Sequence, residues 1–166
     1  NIAEHAALSD ENPVAVFSME MSASSLAQRM ISSLGRINSH SMRTGKLEER
    51  DWNRIDGAIQ QIKNAPIYID DTPSLTPIEL RARARRIQRE KGLSLILIDY
   101  LQLMSVSGSK ENRATEISEI SRNLKALARE LDVPIIALSQ LNRSVENRNP
   151  PIPQMSDLRE SGAIEQ

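Results

Sequence analysis

Four short apolar runs punctuate the chain: Val14 to Met19, Ile67 to Asp70, Leu95 to Asp99 and Ile135 to Ser139. Each has the length of a strand, and none alternates cleanly between polar and apolar positions, which is the pattern of strands covered on both faces of a parallel sheet. Pro13, Pro66 and Pro134 stand directly before three of them, at the one place in a strand where no ladder N–H is yet required. Between the runs the period becomes helical. Ile117, Ile120, Leu124, Leu127 and Leu131 recur at spacings of three and four, with Glu119, Arg122, Lys125 and Arg129 on the other faces, so this segment predicts an amphipathic helix packed on the sheet. Thr76, Pro77 and Glu79 spell a helix start, with a capping hydroxyl, a first-turn proline and a carboxylate that reaches back to the cap amide. That helix runs to about Lys91 and stops at Gly92. Ser22 to Leu34 and Glu48 to Lys63 form two more, joined by a turn-rich link through Gly35 and Gly45, and Asn1 to Leu8 reads as the tail of another.

Strand and helix alternate throughout, which predicts βαβ units and a doubly wound α/β fold with a mostly parallel sheet flanked by helices. The least ordered stretches are expected at residues 105–113 and 143–154, where turn formers gather and apolar surface is scarce. Both follow a strand. They therefore belong to the carboxyl edge of the sheet, where open α/β folds bind ligands.

The composition narrows the choice of chemistry. At 166 residues the chain has the size of one domain, able to bury a core without disulfide or metal. It has no cysteine and only His5 and His40, so neither a disulfide framework nor a thiolate or histidine-cluster zinc site can be built, and a reducing, cytoplasmic setting fits. No apolar run approaches the length of a membrane span and no basic leader precedes a cleavage site, so neither membrane insertion nor secretion is expected. A formal charge of -1 and a pI near 6.2 offer no surplus of cations to neutralise a phosphate backbone, so any nucleic-acid contact must be local. Phe17, Trp52, Tyr68 and Tyr100 are the only aromatic residues, too few for a base-stacking platform. Arg81, Arg85 and Arg89 form a stripe along one helix, with Arg83 and Arg86 nearby; a solvated helix surface is the simpler reading of it. The chain opens on Asn and stops at SGAIEQ without a closing apolar strand, and both ends are expected to be cuts in a larger domain.

The candidate chemistry stands at the strand exits. Asp99 follows four apolar residues of a central strand and emerges where a Mg²⁺ with bound nucleotide sits in a P-loop ATPase; the alternative is an acid that merely ends a strand. Glu20, in FSMEM at 17 to 21, is placed to orient a water for in-line attack on a γ-phosphate, although alone it would be an ordinary loop acid. Gln140 follows IIALS, and a neutral amide there can donate to a γ-phosphate oxygen while repositioning the loop beyond it. Each taken singly means little, but three polar residues at three exits of one sheet edge can share one crevice. None of the six glycines belongs to a GxG pair or to a G-x-x-x-x-G-K-[ST] loop. A dinucleotide-binding reading therefore has no fingerprint, and a phosphate-gripping loop is expected upstream of Asn1.

Taken in order, FSMEM at 17 to 21, RTGKL at 43 to 47, YIDD at 68 to 71, LILIDYLQLM at 95 to 104, ISRNLKALARELDVPIIALSQLNRSVE at 120 to 146 and SDLRESGAIEQ at 156 to 166 closely resemble the DnaB-type replicative helicases. The resemblance covers essentially the whole chain. It implies a single RecA-like P-loop NTPase core over residues 1–166 that assembles as a homo-hexamer, binds ATP with Mg²⁺ between subunits, and moves on single-stranded DNA to unwind a fork in a bacterial replisome. It further implies a primase and a helicase loader as partners. Within that pattern Glu20 matches the acid that activates water, Asp99 the acid supporting Mg²⁺ and Gln140 the γ-phosphate sensor. Arg159, Glu160 and Gly162 fall in a segment that looks like the family's DNA-contacting loop, where an Arg and backbone amides follow phosphates without reading bases. Residues 105–113 resemble its other channel-facing loop. The family's Walker A lysine and hydroxyl, its arginine finger and its amino-terminal collar are not among these residues, so the fragment alone is expected neither to hydrolyse ATP nor to unwind DNA. Two other functions are compatible with the same strand exits: a RecA-fold recombinase or repair ATPase, and a nucleotide-independent ring-assembly module.

Overall fold

The structure, a computed structural model, describes residues 1–9, 11–105, 113–154, 157 and 158. Its elements run α1 (Ile2–Ser9), β1 (Val14–Ser18), α2 (Ala23–Leu34), α3 (Ser39–Thr44), α4 (Glu49–Asn64), β2 (Ile67–Asp70), α5 (Pro77–Lys91), β3 (Leu95–Asp99), α6 (Arg113–Leu131) and β4 (Ile135–Ala137). Short 3₁₀ turns lie at Leu101–Leu103 and Arg143–Asn147. The four strands form one sheet in the order β2-β1-β3-β4, and every pairing is parallel. Val14 stands opposite Ile67 on one side and Leu95 on the other, and Ile96 stands opposite Ile135, so neighbouring strands start and end within one residue of each other.

The prolines before the strands lack a donor but supply acceptors that begin the ladder. Pro66 O accepts from Val14 N at 2.9 Å, Pro13 O from Ser94 N at 2.8 Å and Pro134 O from Ile96 N at 3.0 Å. The central strands β1 and β3 are largely buried, whereas every residue of β2 and β4 is partly exposed, as edge positions dictate. Alternation of side chains divides the core between the two faces. Ala15, Phe17, Ile96 and Ile98 pack with Leu80 and Ala84 of α5 and with Ile117, Ile120, Leu124, Leu127 and Leu131 of α6. Val14, Val16, Leu95 and Leu97 face the opposite way and meet Ala3, Ala6 and Ala7 of α1.

Capping follows the expected chemistry. Thr76 Oγ1 accepts from Glu79 N at 3.2 Å and a Glu79 oxygen accepts from Thr76 N at 2.9 Å, with Pro77 opening the helix. At its other end α5 closes on Gly92, whose φ of +76° is a conformation open to glycine. Gly35 is required for a different reason. A Cβ there would lie 2.8 Å from Ile37 Cδ1, 3.0 Å from Ile31 O and 3.3 Å from Arg54 O, so the missing side chain lets the end of α2 lie against α4.

Two segments are more ordered than their composition predicts. The link through Gly35 and Gly45 contains α3, because Asn38 Oδ1 caps it by accepting from His40 N at 2.8 Å and Ser32 donates to Met42 Sδ at 3.0 Å. The stretch 143–154 begins with a 3₁₀ turn whose cap, Asn142 Oδ1, accepts from Ser144 N at 3.0 Å. Strands β1 and β4 end at Ser18 and Ala137, short of the expected Met19 and Ser139. The arginine stripe lies on the surface, where the exposed Arg81 and Arg85 bracket Glu130 of α6 at 2.7 and 3.4 Å.

Candidate functional site

The exit of β1 is a turn fastened at several points. Ser18, 1% exposed, stands in register with Asp99, and Met19 N donates to Asp99 O at 2.9 Å. Ser18 Oγ donates to Met21 O at 2.8 Å and accepts from Met21 N at 3.2 Å, so one hydroxyl pins the turn and leaves Glu20 exposed at its crest. Directly beyond, Ser22 caps α2, and Asp71 from the exit of β2 accepts from Ala23 N at 2.8 Å. The neighbouring Asp70 turns to Arg83 of α5, at 2.6 Å, and to Thr72 N at 3.1 Å. Burial pushes the Asp70 carboxyl up, but hydrogen bonds from Arg83 and Thr72 outweigh it and hold the group below its usual range.

Asp99 ends β3 half-buried, and the Asp99–Tyr100 peptide is cis. The following 3₁₀ turn then approaches the exit of β4. Leu138 N donates to Ile98 O at 2.9 Å, and Leu101 N donates to Leu138 O at 2.9 Å. Gln102 Nε2 donates to Ser139 Oγ at 2.8 Å and to Gln140 O at 3.4 Å, while Gln140 N donates to Gln102 Oε1 at 3.2 Å. The Gln140 residue itself is exposed. Glu20, Asp99 and Gln140 thus leave three adjacent parallel strands at one edge, and backbone hydrogen bonds join each exit to the next.

Two longer connections depart from this edge. Arg113 Nη2 donates to Gln102 O at 2.7 Å and to Met104 O at 3.0 Å, and its guanidinium also pairs with Glu116. The start of α6 is therefore tied back to the 3₁₀ turn, and residues 106–112 lie outside the described residues. After Gln140 the chain makes a bridge between Leu141 and Leu158, and Asn142 N donates to Asp157 O at 2.6 Å. Arg148 grips the Asp157 carboxylate with both terminal nitrogens at 2.7 Å, and Gln154 N donates to it at 2.7 Å. The Arg148 guanidinium, with the Gln154 amide, holds the Asp157 carboxyl below its usual range. Arg159, Glu160 and Gly162 lie outside the described residues.

The donor set tests the metal expectation. Among the described residues no group of three or more acids or histidines is placed to hold an ion. Asp99 as a single protein ligand suits a Mg²⁺ held mainly by phosphate oxygens and water, and does not suit an all-protein cage.

Ser18, Asp71 and Gln102 were not singled out from sequence. Ser18 reads as a small polar residue at a strand end, and Gln102 as one polar position among Leu101, Leu103 and Met104; only the parallel register turns them toward the exits.

A parallel sheet with helices on both faces and polar strand exits gathered at its carboxyl edge defines an open α/β fold with a ligand-binding edge. The family described as DnaB-like helicase C terminal domain matches residues 1–166, and the chain belongs to it. The replicative DNA helicase DnaB of Geobacillus stearothermophilus is 57% identical over 167 residues, covering 100% of this chain and 37% of the relative. The replicative DNA helicase DnaC of Bacillus subtilis (strain 168) is 54% identical, again over 100% of this chain and 37% of the relative. Among solved structures, one described as an ATPase domain superposes with a TM-score of 0.94 at 37% identity, over 99% of this chain and 59% of that one. A DnaB-like replicative helicase described with its primase interactions superposes with a TM-score of 0.91 at 37% identity, over 96% of this chain and 39% of that one. The chain thus spans a little over a third of the length of these curated relatives.

Proposed function

We propose that the intact protein is the motor of a replicative DNA helicase, a homo-hexameric ring that uses ATP and Mg²⁺ to move along single-stranded DNA and open the fork. The observation that carries this reading is the sheet edge itself: the exits bearing Glu20, Asp99 and Gln140 are neighbours, point the same way and are hydrogen-bonded to one another. Glu20 orients the attacking water and takes its proton as the oxygen bonds to the γ-phosphorus and the bond to the β-phosphate oxygen breaks. Asp99 holds the metal side of the pocket, where a bound Mg²⁺ supplies charge neutralisation. Gln140 donates to a γ-phosphate oxygen and shifts when that oxygen leaves, passing the change to the loop beyond it. Arg159, Glu160 and Gly162 are assigned to the DNA contact. Sparse contacts of this kind agree with the near-neutral charge, because a closed ring retains DNA by topology.

A primase and a helicase loader are proposed partners; a related helicase's described interaction with primase supports the first. A motor acting on DNA in a replisome works in the bacterial cytoplasm; among the described residues no helix is long and apolar enough to cross a membrane. The names of the relatives favour a helicase over a recombinase, and the presence of both Glu20 and Gln140 argues against a purely structural ring. The test is Glu20→Gln in the full-length protein. ATP turnover is expected to fall by roughly a hundred-fold or more while nucleotide affinity changes little; an unchanged kcat would refute the assignment.

A further inference from the structure

The ladder between β3 and β4 stops just short of the residue that the proposed mechanism uses as a sensor. β4 ends at Ala137, and the last backbone bonds beyond it are those of Leu138 N to Ile98 O and of Leu101 N to Leu138 O. Two residues later the backbone of Gln140 has left the sheet. Its N–H and C=O meet the side-chain amide of Gln102 instead: Gln140 N donates to Oε1 at 3.2 Å, and Nε2 donates to Gln140 O at 3.4 Å and to Ser139 Oγ at 2.8 Å. A carboxamide carries a donor and an acceptor side by side, as a peptide group does. It therefore completes both halves of a backbone rung where the strand itself has ended. A carboxylate supplies no donor for Gln140 O, and a thioether supplies no N–H at all.

We propose that Gln102 is the positioning residue of the γ-phosphate sensor: its side chain extends the sheet by one rung and thereby fixes the backbone from which Gln140 reaches the nucleotide. The inference rests on the reading of Gln140 as that sensor. Gln102 sits three residues after Asp99, on the 3₁₀ turn that follows β3, and Arg113 donates to the carbonyls of Gln102 and Met104. The metal side of the pocket and the sensor side are consequently held to one short turn. Displacement of that turn moves both.

The test uses the full-length protein, with Gln102→Met to keep size and remove the amide. Nucleotide binding is measured with ATPγS and with ADP, steady-state turnover with ATP at saturating single-stranded DNA, and ring assembly by light scattering. Gln102→Met is expected to form rings, to lose roughly ten-fold or more in kcat with KM for ATP within about three-fold, and to lose part of its preference for ATPγS over ADP. In a Gln140→Ala background, Gln102→Met is expected to change that preference no further, because the positioned side chain is already gone. A kcat within about two-fold of the parent protein would overturn the proposal. So would an equal loss of nucleotide preference with or without the Gln140 side chain, which marks a general structural role. If Gln102→Met fails to assemble, Ser139→Ala carries the test: a smaller loss of preference, absent in the Gln140→Ala background, is expected, and no loss overturns the proposal. Glu20→Gln measured alongside separates the two levels. Unchanged turnover in that variant refutes the motor reading itself, whereas lost turnover with a Gln102→Met protein that behaves as the parent refutes only the positioning role.

Discussion

Ser18→Ala is a perturbation of two atoms' reach that tests how the Glu20 turn is held. The hydroxyl is buried at the end of β1 and makes both contacts of the turn, donating to Met21 O at 2.8 Å and accepting from Met21 N at 3.2 Å. A net worth of about 0.5–1.5 kcal/mol for each bond, with Met21 partly open to water, sets the loss of stability at about 1–2 kcal/mol. Glu20 rides between the two pinned residues, so the larger consequence is positional: a shift of about 1 Å in a group proposed to align water can cost about a hundred-fold in rate, and roughly ten-fold is expected here. Urea denaturation and steady-state ATP turnover of the full-length protein measure the two effects separately. Ser32→Ala provides the control, since its buried hydroxyl donates to Met42 Sδ at 3.0 Å in the α2–α3 corner. That variant is expected to lose some stability and keep its kcat. Equal kcat in the two variants would refute the reasoning, because the effect of Ser18 would then be stability alone.

Gly35→Ala is expected to lower the urea midpoint by about 1–3 kcal/mol of stability, since the new Cβ meets two carbonyl oxygens and Ile37 at the α2–α4 contact; an unchanged midpoint would contradict that close approach. Acid should weaken the fold through Asp70 and Asp157. Both carboxyls are held below their usual range by arginine partners, so their contribution is complete above the ordinary aspartate value of about 3.9 and is lost as pH falls through the lower folded value. Asp70→Asn is expected to flatten the acid limb of a thermal-midpoint against pH curve, and an unaltered slope would show that the Arg83 pair contributes nothing to it.

The elements most legible in sequence were those in which local chemistry and tertiary packing agree. The apolar run ending at Asp99, the Thr76–Glu79 capping box and the period of α6 each specify a structure by themselves, and the structure carries them at those places. The exits could be counted from sequence, but their order in the sheet could not, since β2-β1-β3-β4 is a property of the crossovers. For the same reason Gln102 is invisible in the chain: its partners lie 37 and 38 residues away. The order of residues 143–154 also depends on distance, because Arg148 finds its carboxylate at Asp157, beyond three prolines and outside any periodic pattern.

One structure would test the account most directly: the full-length ring bound to Mg²⁺, ADP and a planar γ-phosphate mimic. The account predicts the mimic at the carboxyl edge of this sheet, with the Gln140 amide in hydrogen-bonding reach of it, the Asp99 carboxylate on the metal side and Glu20 beside the water in line with the bond to be broken. Nucleotide bound at the opposite edge, or a mimic with none of these three side chains around it, would contradict the claim.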